Sequence, residues 1–167
     1  MSRTLDALAK LSAILGGLVV VGVTLLTTYS ILGRALFRSP VLGDIEIVEV
    51  GMTFCVAAFL PICQWRNANI IVDFFTTRAS AATRRVLDRL GALLVAAMMG
   101  LIAWRAVPGM FSAKEAMSQS MMMGIPEWWA YASMIPPLAL TAVIALYTAF
   151  TGRHGGRPEG AEPGAGA

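Results

Sequence analysis

The chain has 167 residues, 57% hydrophobic and 14% charged, with a formal net charge of +3. A soluble domain carries about one charged residue in four, so this apolar surplus exceeds what one core of that length can hide and the chain is expected to sit in a bilayer. Two cysteines without a C-x-x-C, a single histidine and a small positive charge argue against metal binding, thiol redox chemistry and a nucleic-acid surface.

The surplus falls in four stretches, which predicts an all-α integral membrane protein with helices over about 11–33, 45–65, 87–111 and 127–151. The first and last run uncharged for about 23 to 25 residues, enough to cross the hydrocarbon. Helices are expected because backbone groups in lipid must pair within their own segment. The predicted organisation is a transmembrane domain over 1–151 and a disordered tail, rich in Gly, Pro, Glu and Ala, over 152–167.

Ser2 to Lys10 reads as a short polar lead at the interface. The apolar run after it is too long for a secretory signal core, and no A-x-A site with a polar start follows, so it is expected to stay as an anchor. Thr24, Thr27, Thr28, Arg34 and Arg38 share one face of this first helix. Such threonines commonly bond the carbonyl one turn earlier. Arg34 and Arg38 end the helix, and Glu46 and Glu49 open the next, across a turn marked by Ser39-Pro40 and Gly43. Two readings stand: an Arg/Glu cluster that fixes the hairpin or meets a partner, and an ordinary solvated helix end.

The second helix has one polar edge. Glu46, Glu49, Thr53, Ala57, Leu60 and Gln64 line a stripe, with Val48, Cys55, Phe59 and Ile62 opposite. From Glu46 to Gln64 the stripe spans about 27 Å at about 1.5 Å per residue, close to the thickness of the hydrocarbon layer. Pro61 removes a backbone bond to residue 57 and predicts a kink there. Cys55 and Cys63 are about 12 Å apart along this helix and cannot bond to each other within it.

Beyond Asp73, residues 76–89 alternate arginines with small and aliphatic side chains, which reads as a basic amphipathic stretch on the cytoplasmic surface or as a plain charged loop. Ala92, Ala96, Gly100 and Ala103 then give the third helix a small-residue stripe that another helix can approach closely. Trp104 and Arg105 mark its outer interface, and Pro108-Gly109 is expected to end or bend it. The methionines Met117 and Met121 to Met123 suit either gap-filling or a changing partner surface. In the run Gly124 to Trp129, proline and Glu127 suit a helix start, and Trp128 and Trp129 suit the membrane interface. Pro136-Pro137 is expected to interrupt the fourth helix, as a structural kink or a substrate-site break.

With four spans, the N-terminus, the loop from Arg66 to Arg89 and the tail share the side richer in arginine and lysine, which predicts cytoplasmic termini. No span carries a charge near its middle, where an ion-coupled carrier normally keeps one. Nothing in the sequence supplies a catalytic constellation or a cofactor site. Taken alone, the residues read as a membrane scaffold. The alternatives are a self-sufficient homodimeric small transporter and a non-transporting membrane adaptor.

From about Leu11 to Phe150 the chain resembles the DctQ-like small membrane subunits of tripartite ATP-independent periplasmic (TRAP) transporters. The resemblance rests on RALFRSPVLG at the end of the first helix, DIEIVEVGMTF, QWRNANIIVDFF, and the GIPEWW start of the fourth helix. Asn69 stands where such subunits typically carry a histidine. The resemblance implies a small permease subunit in the bacterial inner membrane, partnered by a large multi-span permease subunit and a periplasmic solute-binding protein and surrounded by lipid. It implies sodium-coupled symport of a carboxylate, with sodium and substrate bound by the large subunit and no cofactor on this chain. By resemblance, Arg34, Arg38, Glu46 and Glu49 are structural or docking residues at the periplasmic edge, Arg66 and Asp73 anchor the cytoplasmic turn, and Gln64 is a further structural or docking residue. Trp128 and Trp129 mark the outer interface.

Overall fold

The computed structural model describes residues 2–37, 41–66 and 81–151. They form four helices: α1 (Ser2–Phe37), α2 (Asp44–Trp65), α3 (Ala81–Glu115) and α4 (Trp128–Thr151). Each is long and apolar enough to cross a membrane. Among the described residues there is no strand, only an isolated antiparallel bridge between Gln119 and Pro126. The all-helical, four-span architecture agrees with the composition, because an intrahelical ladder satisfies the backbone where water is absent.

The helices extend beyond the apolar runs that announce them. α1 begins at Ser2 because its first turns find partners: Leu5 and Ala9 are buried with Trp65 of α2 and Ile144 of α4. α3 starts at Ala81 and runs through Pro108 to Glu115, so Pro108-Gly109 does not end it. Ala106 and Ala113, on either side of that pair, are buried. Packing of this kind outweighs the loss of one ladder bond at a proline. α4 is likewise continuous across Pro136-Pro137, and α2 across Pro61. The fourth helix is therefore not broken at Pro136-Pro137. Pro137 is buried, and its carbonyl accepts Thr141 Oγ1 at 2.8 Å. Residues 67–80, with the first five positions of the basic stretch, and the tail 152–167 lie outside the described residues, whereas positions 81–89 of that stretch, with Arg84, Arg85 and Arg89, are the first turns of α3.

In space α1 packs on α2, α2 on α4 and α4 on α3, with α1 touching α4 only weakly. The helices thus form a row ordered α1, α2, α4, α3 rather than a closed bundle. Small side chains set the close approaches. An added Cβ at Gly16 would lie 3.0 Å from Ala58 Cβ, and one at Gly51 would lie 2.6 Å from Val23 Cγ2. Cys55 Sγ donates to the Gly16 carbonyl at 3.4 Å, and Ser12 Oγ donates to the Ala58 carbonyl at 2.8 Å. Along the α3–α4 seam, Ala92, Ala96 and Ala103 are buried, and Gly100 faces Ala142. The α3 stripe read from the sequence is this seam.

Candidate functional site

The chain concentrates its polar geometry at two ends of the row, and the sequence-predicted residues divide between them. One end is built on the start of α2. Gly43 caps the helix in the left-handed region at φ 76°, and its carbonyl accepts the backbone N–H groups of Glu46 and Ile47. Asp44, in the first turn where a carboxylate suits the positive helix end, takes Ser30 Oγ–H at 2.5 Å on Oδ2 and its neighbour Ile45 N–H at 2.8 Å on Oδ1. Arg34 approaches Asp44 Oδ2 at 4.0 Å with its guanidinium largely exposed. The charge that meets Arg34 is thus Asp44, not Glu46 or Glu49. Arg38 lies outside the described residues.

Glu46 instead reaches the segment between α3 and α4. Its Oε1 accepts Met122 N–H at 2.7 Å, and its Oε2 accepts Met123 N–H at 2.8 Å and Ser120 Oγ–H at 2.6 Å. Ser120 also binds Ile125: its Oγ accepts Ile125 N–H at 3.0 Å, and its N–H donates to the Ile125 carbonyl at 2.9 Å. One carboxylate therefore satisfies two backbone donors and a hydroxyl of a single tight turn, the charge-assisted arrangement that binds most strongly. Gly43 completes the joint, since a Cβ there would clash with the Met123 side chain, its Sδ only 2.6 Å away. Met117, Met121, Met122 and Met123 are all exposed. Apart from Met123 at Gly43, they offer a surface rather than fill a gap.

Glu49, one turn further into α2, is exposed, and no described side chain pairs with its carboxylate. It lines an open groove of about 820 Å³ between α2 and α4, together with Thr53, Tyr131 and Met134. A second hollow of about 510 Å³ continues past Thr53 to Ala57, Leu60 and Leu138. The polar edge read along α2 is one wall of this groove. Trp128 and Trp129 stand at the start of α4 in an edge-on pair with centroids 6.1 Å apart, and Lys114 Nζ lies 5.6 Å from the Trp128 ring. Trp129 and Trp104 are exposed, as suits aromatic rings at a lipid interface.

The other end joins the α1 start to the ends of α2 and α4. Trp65 is buried, donates from Nε1 to Asp6 Oδ1 at 2.9 Å, and lies 6.1 Å from the Tyr147 ring. Asp6 Oδ2 also holds Lys10 Nζ at 2.6 Å. Gln64 is buried beside Trp65, and Arg66 is exposed at the C-cap, its N–H donating to the Ile62 carbonyl at 3.0 Å. Asp73 lies outside the described residues. Sequence reasoning missed Asp6, Asp44 and Ser120. Asp44 carried a signal, an acid directly after a turn glycine, whereas Asp6 and Ser120 act on residues far along the chain.

Along α1, Thr24, Thr27 and Thr28 each donate to a carbonyl one turn back, at 2.8 to 2.9 Å. Among the described residues no three His, Cys, Asp or Glu side chains gather as a metal would require. Direct comparison finds no match to a curated protein. The family model of the DctQ component of tripartite ATP-independent periplasmic transporters matches residues 23–154, most of the chain, and the protein belongs to that family.

Proposed function

We propose that this chain is the small permease subunit of a TRAP transporter, a fixed scaffold for a large membrane subunit that carries the sodium and substrate sites. It acts in binding-protein-dependent, sodium-coupled uptake of a carboxylate across a bacterial inner membrane. Both termini face the cytoplasm, and the Glu46 joint lies on the periplasmic side, where the solute-binding protein arrives. The observation that carries this reading is a contrast within one molecule. Membership of the family makes it a transporter component, yet its charges stand at the helix ends: α1 has none between Lys10 and Arg34, α2 none between Glu49 and Arg66, α3 none between Arg89 and Arg105. A chain that bound and moved an ion by itself would need an ionisable or coordinating group at depth. The row of helices also leaves apolar sides uncovered, among them Leu18 and Leu25 on α1 and Leu94 on α3. That geometry suits a subunit that broadens a partner's footprint in lipid.

Purification with a tagged large subunit, followed by reconstitution with and without the binding protein, tests the proposal. Uptake is expected only when all three components are present. Sodium-driven accumulation by vesicles holding this chain alone would overturn it in favour of a self-sufficient homodimer. Failure of the two membrane subunits to copurify would also overturn it.

A further inference from the structure

The groove between α2 and α4 differs chemically from the outward faces of α1 and α3. Those faces are mainly apolar, with Leu18, Leu25 and Leu94 exposed, and suit acyl chains. The groove joins a carboxylate at its upper end to small and polar groups deeper down: Glu49, then Thr53, then Ala57, with Tyr131 and Met134 opposite. Glu49 lies about 4.5 Å below Glu46 along the helix axis. Glu46 is fully engaged by the α3–α4 turn, whereas Glu49 meets no described cation. Tyr131 and Met134, which share its groove, lie past Trp129, the exposed ring at the start of α4. In a membrane-spanning arrangement with Trp129 at the interface, the exposed Glu49 carboxylate stands at the edge of the hydrocarbon. An ionised group there is costly unless a cation comes to it.

Resting on the reading above, we infer that the α2–α4 groove seats a transmembrane helix of the large permease subunit, and that this helix brings an arginine or lysine at its outer end to Glu49. Charge complementarity selects the occupant's outer end. The small Ala57 side chain and Thr53, whose hydroxyl is turned back onto the Glu49 carbonyl at 2.8 Å, suit close approach by a partner helix. α1, whose outer face lacks a carboxylate at that depth, faces lipid.

Site-specific photo-crosslinking in the intact complex tests the inference, with a benzophenone amino acid placed at Thr53 or Val56 in the groove and at Leu18 or Leu94 as outward-facing controls. Groove positions are expected to yield adducts with the large subunit and the controls none. Glu49→Lys should lower recovery of the large subunit about tenfold relative to wild type, and Glu49→Gln less, following the sign of a charge contact. Adducts only from the control positions, adducts between two copies of this chain, or no protein adduct from the groove while the complex stays intact would each overturn the inference. Those results would leave the scaffold reading standing. Absence of a wild-type complex would sink both.

Discussion

Glu46 and Ser120 are 74 positions apart in the chain, and their side chains meet at 2.6 Å. With Met122 and Met123 N–H on the same carboxylate, this contact fastens the start of α2 to the turn that joins α3 to α4. The fastening matters because α2 and α3 are not neighbours in the row: α4 stands between them. One acidic side chain therefore ties this turn to the start of α2.

Replacing Glu46 with alanine should free the Met122 and Met123 amides without unfolding the helices. Amide hydrogen exchange at these two positions is expected to quicken by about an order of magnitude, with α4 protection unchanged. Glu46→Gln, which keeps one acceptor oxygen, should fall between. Unaltered exchange at both amides in Glu46→Ala would show that the turn holds its shape without the carboxylate.

The contrast between what the sequence disclosed and what it concealed follows from range. The α3 stripe of Ala92, Ala96, Gly100 and Ala103 was legible because helical periodicity writes a packing face into adjacent turns. The polar edge of α2 was legible for the same reason. Partner identity was not: nearness across the turn made Glu46 and Glu49 candidates for Arg34 beside a plain solvated helix end, while the carboxylate that approaches it is Asp44, oriented by Ser30. Glu46 and Asp6 serve residues that no local pattern links to them. That the helices run unbroken through Pro108 and Pro136-Pro137 was hidden for the same reason, since a proline weakens a helix locally while the burial that holds it together comes from another helix.

Gly51 sits against Val23 where α2 packs on α1, and it supports a sharp steric prediction. Gly51→Ala places a methyl 2.6 Å from Val23 Cγ2, a branched side chain with little freedom to turn aside. The expected cost is about 1–3 kcal/mol from overpacking, partly offset by the better helix propensity of alanine. Val23→Ala in the same chain should recover most of it, a coupling that a double-mutant cycle in detergent would measure. Gly22→Ala, with no atom within 4 Å of its new Cβ, should be neutral or slightly stabilising. Equal effects at Gly51 and Gly22 would contradict the packing described.

Gly43 combines two constraints that substitution can separate. Gly43→Ala imposes a left-handed conformation on a residue with a Cβ, at about 1–2 kcal/mol, and drives that Cβ into Met123. Shortening Met123 to alanine alongside it should relieve the clash but leave the backbone strain. Thermal unfolding of the pair should therefore fall between wild type and the single Gly43→Ala variant. A double variant as stable as wild type would mean that the φ of 76° carries no strain.

At the opposite end, Trp65 anchors α2 to α1 and α4 through both its ring and its N–H. Trp65→Ala should cost about 3–5 kcal/mol, the range for emptying a buried aromatic site, because it also removes the contact with Tyr147. Trp65→Phe keeps an aromatic ring against Tyr147 but loses part of the buried ring and the bond to Asp6 Oδ1, the bond accounting for about 1 kcal/mol. In an Asp6→Ala background the indole N–H no longer meets that carboxylate, so the same Trp65→Phe substitution should cost less. If Trp65→Phe is equally harmful with and without Asp6, the hydrogen bond contributes nothing and ring volume alone joins the three helices.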